Sequence, residues 1–365
     1  MQPLRRSFVA AATLAAAVTA QLSTTTLSTN PNTFPMSVVL APNPIGNYAI
    51  TSLWNTSEQV PANVTNPAAP VLGINATAPQ DQYCRAWYTP ALGGRLLTAH
   101  RGGGIRLWDT TGVLINGPLP ILQTTPTTYS HEGLKSAPLP GTILDYVFYS
   151  EQHVSPTSSG GLRIYQLGTA GLVPMGTVLT VGAAGNGLEV STSTNVVWQW
   201  GDQLNNQLNG VLRTYDTFNK SAPVEMPRVP FPFSTPNGDK YLEKNFTENA
   251  LVGTLGVDGL ATFDITNPLA PTVGLAISVP GLTLRGVTFI PGTDFGLFFG
   301  SVQIGSSILD FMWFFHAPAA VAGFTLLGSP IWTPGFQIMD AKIDWGHIFA
   351  VGRDRSSLNS LMKIW

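Results

Sequence analysis

Charged residues are scarce in this chain of 365 residues. Asp, Glu, Lys and Arg make up only 10% of it, against roughly 25% in typical globular domains. Lys and Arg form no run and no basic patch, which excludes electrostatic capture of nucleic-acid phosphates. Disorder is excluded as well, because 44% of the residues are hydrophobic and 10% are aromatic.

Cysteine is nearly absent, since Cys84 is the only one. The chain therefore has no internal disulfide and depends on its core for stability. Cys84 lies in an alternating apolar stretch, so we interpret it as a buried structural residue rather than a catalytic thiol. The sequence also lacks a G-x-S-x-G nucleophile elbow, an H-E-x-x-H zinc motif and a P-loop.

The N-terminus has the features of a secretory signal peptide. Arg5 and Arg6 precede an apolar run over 8–18, and small residues follow up to Ala20. We predict cleavage after Ala20, an extracellular or cell-wall location and a mature chain of residues 21–365. The apolar run is shorter than the about 20 residues of a membrane anchor, which is the alternative. A second apolar stretch, 308–332, contains Asp310, His316 and two prolines, so we expect no membrane span.

Five N-x-[ST] sequons predict a glycoprotein. With a signal peptide in front, they indicate glycan acceptors on exposed turns, at Asn55, Asn63, Asn75, Asn219 and Asn245. Glycans would also keep a surface with so little charge soluble.

A strand motif recurs with a period near 50 residues. It begins at Gly104, Gly161, Gly210, Gly259, Ser307 and Ser360, with spacings of 57, 49, 49, 48 and 53 residues. The chain carries 37 Gly and 29 Pro between short runs of β-branched and aromatic residues, and no long segment has a helical period. Several strands per period of this length are typical of β-propeller blades.

A second marker supports seven blades in an all-β fold. The sequence Thr-Asn-Pro-x-Ala-Pro occurs at 65–70 and at 266–271, four periods apart. We place the blades in one domain at about 35–78, 80–124, 127–182, 184–231, 238–280, 281–329 and 332–365. The last blade lacks an outer strand, and we predict that the alternating segment 21–28 supplies it and closes the ring. Six blades is the alternative.

Two family resemblances accompany this repeat. Residues 259–271, Gly-Leu-x-x-Phe-Asp-Ile-Thr-Asn-Pro-x-x-Pro, resemble the LVIVD-type propeller repeat. Residues 186–191, Asn-Gly-Leu-Glu-Val-Ser, resemble one blade of the calcium-dependent gluconolactonase family. The second resemblance implies that Asn186 is a metal ligand.

Several of the few polar and charged side chains lie at two kinds of position. One is the expected start of the innermost strand of a blade, and the other is the expected end of its second strand. These positions should surround one mouth of the central channel, which makes them a candidate site. They include Arg101, Glu151, Arg285, Gln337 and Arg353 as ligand-binding residues. Glu132, Asn186 and Asp202 offer oxygen ligands for Ca²⁺, and His131 or His153 could act as general base.

Three functions remain open from the sequence. The first is a secreted binding module for an extracellular protein, glycan or small molecule. The second is a calcium-dependent lactonase or esterase of the gluconolactonase type. The third is a structural glycoprotein of the cell wall or matrix.

Overall fold

The computed structural model describes most of the chain from residue 20 to the C-terminus. The described residues are 20–365 except 44–45, 57, 78–83, 92–93, 101–103, 110–118, 124–132, 141–143, 152–158, 169–170, 182, 204–205, 232–240, 255–258, 278–280 and 322. The described residues form thirty β-strands and no α-helix. Among these residues there is no helix that is long and apolar enough to cross a membrane.

The first four blades follow a short N-terminal strand, β1 (Ser23–Ser28). Blade 1 contains β2 (Pro35–Asn43), β3 (Gly46–Leu53), β4 (Glu58–Asn63), β5 (Val71–Leu72) and β6 (Ala76–Thr77). Blade 2 contains β7 (Cys84–Thr89), β8 (Arg95–His100), β9 (Gly104–Asp109) and β10 (Leu119–Gln123). Blade 3 contains β11 (Gly133–Pro138), β12 (Asp145–Glu151), β13 (Ser159–Gly168) and β14 (Gly171–Val181). Blade 4 contains β15 (Ala183–Val190), β16 (Val196–Gln203), β17 (Asn206–Asp216), β18 (Val224–Glu225) and β19 (Val229–Phe231).

Three further blades complete the ring. Blade 5 contains β20 (Leu242–Lys244), β21 (Ala250–Thr254), β22 (Leu260–Asp264) and β23 (Thr272–Ile277). Blade 6 contains β24 (Leu282–Phe289), β25 (Phe295–Ile304), β26 (Ser307–His316) and β27 (Thr325–Trp332). Blade 7 contains β28 (Phe336–Asp344), β29 (His347–Asp354) and β30 (Ser360–Ile364).

Each blade is an antiparallel meander, and the N-terminal strand closes the ring as predicted. β1 is the outer strand of blade 7, paired antiparallel with β30 from Ser23 opposite Ile364 to Ser28 opposite Ser360. Leu27 packs there among Phe349, Val351 and Met362. The seven-bladed architecture is therefore confirmed, and the sheet edge that β30 would otherwise expose is covered.

A recurring turn explains why a polar residue ends the third strand of several blades. The side-chain oxygen accepts the backbone N–H two residues further on, which is an Asx turn. This bond occurs at Asn63 with Thr65 (3.0 Å), Asp216 with Phe218 (2.9 Å) and Asp264 with Thr266 (2.9 Å). Blade 4 therefore has the same turn as blades 1 and 5, although it lacks their Asn-Pro sequence.

The copy of the strand motif in blade 6 lies four residues later than the sequence suggests. His316 pairs with Phe295, the first residue of β25, as Asp264 pairs with Ala250, the first residue of β21. The equivalent of 259–264 is thus 311–316 and not 307–312. The reason is the length of β26, which has ten residues where β22 has five. Blade 6 also ends at Trp332 instead of 329.

Apolar contacts between neighbouring blades form the core. Trp198 and Trp200 of β16 are buried and pack with Leu251 and Phe263 of blade 5. The indole N–H of Trp198 also donates to the carbonyl of Pro268 at 3.0 Å. Both tryptophans therefore pack between blades and hold blade 4 against blade 5.

Candidate functional site

The innermost strands carry β-bulges at matching positions. One extra residue is inserted relative to the second strand at Met36, Arg285 and Met339. In blade 4 the irregularity lies between Gly185 and Leu188, at Asn186 and Gly187. A bulge turns the strand and re-aims the side chains that follow. The structure thus makes Arg285 equivalent to Met339 and not to Gln337.

Four charged side chains from four blades meet beyond these bulges, along the channel. Lys135 Nζ lies 3.0 Å from Glu189 Oε2 and 3.4 Å from Glu243 Oε1. Lys342 Nζ lies 3.2 Å from Glu243 Oε1. We call Lys135, Glu189, Glu243 and Lys342 the channel network; it links blades 3, 4, 5 and 7.

Proton affinities in the channel network reflect its burial and its alternating charge. Burial alone would raise the pKa of Glu243, but Lys135 and Lys342 outweigh it and lower the pKa to about 2. Burial raises the pKa of Glu189, although Lys135 opposes that shift. Burial acts to lower the pKa of Lys135, yet Glu189 and Glu243 raise it above its usual value. Lys135 therefore stays protonated and holds the two carboxylates together.

Polar groups beside the channel network tie neighbouring innermost strands to each other. Asp340 Oδ2 accepts the backbone N–H of Val38 at 2.9 Å, which joins blade 7 to blade 1. Ser37 Oγ accepts the N–H of Ala86 at 3.0 Å, which joins blade 1 to blade 2. These bonds satisfy backbone groups facing the channel and make the inner wall rigid.

A cavity of about 220 Å³ opens at the mouth where the innermost strands end. Blades 1, 2, 5, 6 and 7 contribute to its wall. Its lining combines aromatic rings with charged groups, chiefly Trp87, Tyr88, Phe289, Glu243, Lys342 and Asp344. Such a mixture can hold a partner's side chain or a polar small molecule by stacking and by charge-assisted hydrogen bonds. We call this cavity the mouth cavity.

The mouth cavity lies at the opposite end of the channel from the site expected from sequence. Of the residues expected to bind a ligand, Gln337 and Arg353 are opposite each other on paired strands. Arg353 donates from Nε to the carbonyl of Leu358 at 3.2 Å and also to the carbonyl of Pro31. Its guanidinium lies 5.9 Å from the ring of Phe34. Arg353 thus fastens the segment between β1 and β2.

Arg285 is half-buried one blade away from that pair. Its Nη1 lies 4.0 Å from the sulfur of Met339, so the two bulged residues contact each other across the blade 6–blade 7 boundary. The contact of Arg285 with blade 7 is therefore made to Met339 and not to Gln337.

The remaining residues of the expected site, including all those proposed for metal binding and catalysis, lie outside the described residues or have side chains that are not described. Arg101, His131, Glu132 and His153 are outside the described residues. Glu151, Asn186 and Asp202 are on β12, β15 and β16, but their side chains are not described. Within the described part of the chain, no group of three His, Cys, Asp or Glu residues could hold a metal ion. The calcium site and the lactonase chemistry stay predictions.

The five sequon asparagines differ in accessibility. Asn55, Asn75 and Asn219 are exposed, and Asn63 is half-buried. Asn245 is fully buried, and its Nδ2 donates to the side chain of Asn249 at 2.6 Å and to the carbonyl of Ala317 at 3.0 Å. A glycan has no room at the buried Asn245, so we expect glycans at the other four, which reach solvent.

Sequence reasoning missed the channel network. Its members are 54 residues or more apart in sequence, and only Lys135 and Glu189 stand alone as charged residues in their strands. The one signal was the rarity of charge: in so apolar a chain, an isolated Lys or Glu inside an innermost strand needs a partner.

No protein-family model matches the chain, and no curated protein matches its sequence. Its fold is similar to that in the crystal structure of RRP9 WD40 repeats, with a TM-score of 0.60 and 14% identity over 93% of this chain and 96% of that one. It is also similar to Chaetomium thermophilum Raptor, with a TM-score of 0.60 and 10% identity over 95% of this chain and 29% of that one. Such low identity shows the propeller fold alone, and the LVIVD and gluconolactonase resemblances stay predictions.

Proposed function

We propose that this protein is a secreted glycoprotein that acts as a binding module and captures an extracellular partner at the mouth cavity. The observation that carries the proposal is the cavity's position on the channel axis, where five blades supply its wall. A rigid ring with a concave, mixed aromatic and charged mouth can bind without moving its backbone.

The surroundings of the mouth cavity support binding of a polar group. The indole N–H of Trp87 donates to the carbonyl of Ser136 at 3.2 Å, and the hydroxyl of Tyr88 donates to the carbonyl of Pro42 at 3.1 Å. Both rings are therefore fixed before a partner arrives. Fixed aromatic side chains lower the entropy cost of binding.

The exposed sequons support secretion and glycosylation. Asn63 and Asn219 lie at or beside the turns that lead into outer strands, and Asn75 lies between outer strands. Asn63 ends a third strand and Asn219 follows one, and these strands end on the same face as the mouth cavity but two strands further from the axis. Mass spectrometry of the secreted protein should find Gln21 as first residue and glycans on Asn55, Asn63, Asn75 and Asn219.

Binding can be tested with Tyr88→Ala and a matched control, Phe218→Ala. Phe218 is 77% exposed on blade 4, away from the mouth cavity. Immobilised wild-type protein and Phe218→Ala should retain the same secreted protein or glycan from the culture medium of the producing cells, and Tyr88→Ala should lose it. Equal retention by all three proteins would contradict the proposal, and so would no retention by any.

A further inference from the structure

A second cavity, of about 370 Å³, lies between blades 5 and 6. Blade 5 contributes Leu260 and Ile277, and blade 6 contributes the other lining residues. We call it the side cavity. It shares no lining residue with the mouth cavity.

The lining of the side cavity is wholly apolar. The described side chains that line it are Leu, Ile, Val, Phe, Pro and Trp, with no charged group and no hydroxyl or amide side chain. Sugars, nucleotides and peptides would lose hydrogen bonds to water there without replacement. A hydrocarbon would instead gain from leaving water.

Two features of blade 6 create the side cavity. The first is strand length: β25 and β26 have ten residues each, whereas β21 and β22 of blade 5 have five. The second is an irregularity in the outer strand. Met312 pairs with Ile331 and Phe314 with Leu327, so three residues, 328–330, lie opposite Trp313 alone. This bulge places Pro330 in the wall of the cavity.

Aromatic contacts hold the walls of the side cavity in place. The ring of Phe298 makes an edge contact with Phe311 at 6.1 Å between centroids and lies 6.2 Å from Trp313. Phe311 in turn makes an edge contact with Trp332 at 6.0 Å. Because its walls are packed against each other, the cavity exists before any ligand enters.

The side cavity is deep, yet it reaches solvent. Leu260, Leu284 and Phe298 are buried, whereas Ile304 is 60% exposed and Trp332 is 50% exposed. An amphipathic molecule could place its chain inside and leave its polar end in water at this rim. The volume exceeds the about 150 Å³ of an apolar cavity that takes benzene, and it is within the range of ligand pockets.

We infer that the side cavity binds the hydrocarbon chain of a small lipid, such as a fatty alcohol or fatty acid, with its polar end at the rim. The depth of the cavity favours a chain over a flat apolar surface of another protein. The rim residues Ile304, Leu326 and Trp332 would contact the part of the chain nearest the polar end.

Fluorescence of the apolar probe N-phenyl-1-naphthylamine tests this site on the full mature protein. We expect saturable binding of one probe per chain, displacement by dodecanol and no displacement by glucose. Ile304→Lys should weaken probe binding by about tenfold or more, because it places a charge at the apolar rim. The matched control is Ile74→Lys on blade 1, where the isoleucine is 53% exposed; it should bind like wild type.

A second variant guards against loss of folding. Val302→Phe adds volume inside the side cavity and should abolish probe binding while the melting temperature is retained. Absence of probe binding to folded wild-type protein would overturn the inference, as would equal weakening by Ile304→Lys and Ile74→Lys. Dimerisation of wild type that Ile304→Lys prevents would also overturn it, by showing that a second copy covers the site.

Discussion

Lys135 of blade 3 and Glu189 of blade 4 form an ion pair of 3.0 Å whose side chains are both buried in the channel wall. Lys135 also lies 4.4 Å from the centre of the Trp87 ring, so its charge faces blade 2 as well. Removing two charges from water costs free energy that their attraction only partly offsets. The pair therefore fixes the arrangement of the innermost strands more than it adds to stability.

The first prediction follows from this arrangement. Lys135→Met should lower the free energy of unfolding by about 3–5 kcal/mol, because it leaves two buried carboxylates without their shared cation. Lys342→Met should cost less, since Lys342 is more exposed and contacts only Glu243 within the channel network. Urea denaturation at pH 7 measures both values.

A double variant separates the ion pair from simple packing. Lys135→Met combined with Glu189→Gln should recover part of the lost stability, because one of the stranded charges is gone. Strict additivity of the two single changes would show that Lys135 and Glu189 do not interact in solution.

The second prediction concerns acid. The folded-state pKa of Glu243 is lowered to about 2 from an ordinary value of 4.5. Its contribution to stability is therefore fully present above pH 4.5 and is lost as the pH falls from about 4.5 towards 2. Other carboxylates titrate in this window too, among them Glu248, whose pKa is also lowered, since Lys244 and hydroxyl donors together outweigh its burial. Denaturation midpoints of wild type and Glu243→Gln at several pH values isolate the Glu243 contribution.

The expected result is a shallower loss of stability with acid in Glu243→Gln than in wild type. Parallel curves would show that Glu243 does not titrate at a lowered pKa. Glu189 responds to this variant as well, because the charge of Glu243 helps to raise its pKa, so the same pH series is measured in a Glu189→Gln background.

The blades and their closure could be predicted because their signals are local. The strand motif repeats. In the turns at Asn66 and Asn267, the backbone carbonyl of the asparagine accepts the N–H of the third residue after it, at 3.1 Å. The alternation of 21–28 indicated a strand without a partner of its own. These features depend on neighbours in sequence, so a single sequence shows them.

The interior of the channel could not be predicted because bulges change the period of its strands. One inserted residue at Met339 moves every later side chain of β28 to the other face. Arg285 is equivalent to Met339, the bulged residue of β28, and nothing in the sequence marks either bulge. The ion pairs of Lys135 join residues whose proximity only the closed ring determines, and they have no signature within one blade.

The third prediction tests ring closure. Leu27→Ala should lower the free energy of unfolding by about 2 kcal/mol, because Leu27 is buried between blade 7 and its neighbours. The control is Thr26→Ala on the same strand, where the side chain is exposed and the change should cost less than about 0.5 kcal/mol. Deleting residues 21–29 should cause concentration-dependent aggregation in light scattering, because β30 becomes an open edge. Equal stability of both variants would show that β1 is not docked.

The last prediction concerns glycines that face the bulges. Gly352 of β29 pairs with Ile338, and Gly300 of β25 pairs with Leu284, each immediately before a bulge. A Cβ at Gly352 would lie less than 3.0 Å from the carbonyl oxygen of Gln337, and one at Gly300 would lie less than 3.0 Å from that of Thr283. Neither backbone oxygen can move without breaking the pairing of the innermost strand.

Gly352→Ala and Gly300→Ala should each lower the free energy of unfolding by about 2–3 kcal/mol, as expected for overpacking against fixed backbone. The control is Gly346→Ala, where φ is +78° but no atom lies within 4 Å of the added Cβ. Left-handed strain alone should cost about 1–2 kcal/mol there. Urea denaturation of the three variants decides the question. If Gly346→Ala lowered the free energy of unfolding more than the other two variants, the bulged strands would be able to shift and make room for a Cβ. Close contact at Gly352 and Gly300 would then not determine the position of the channel wall.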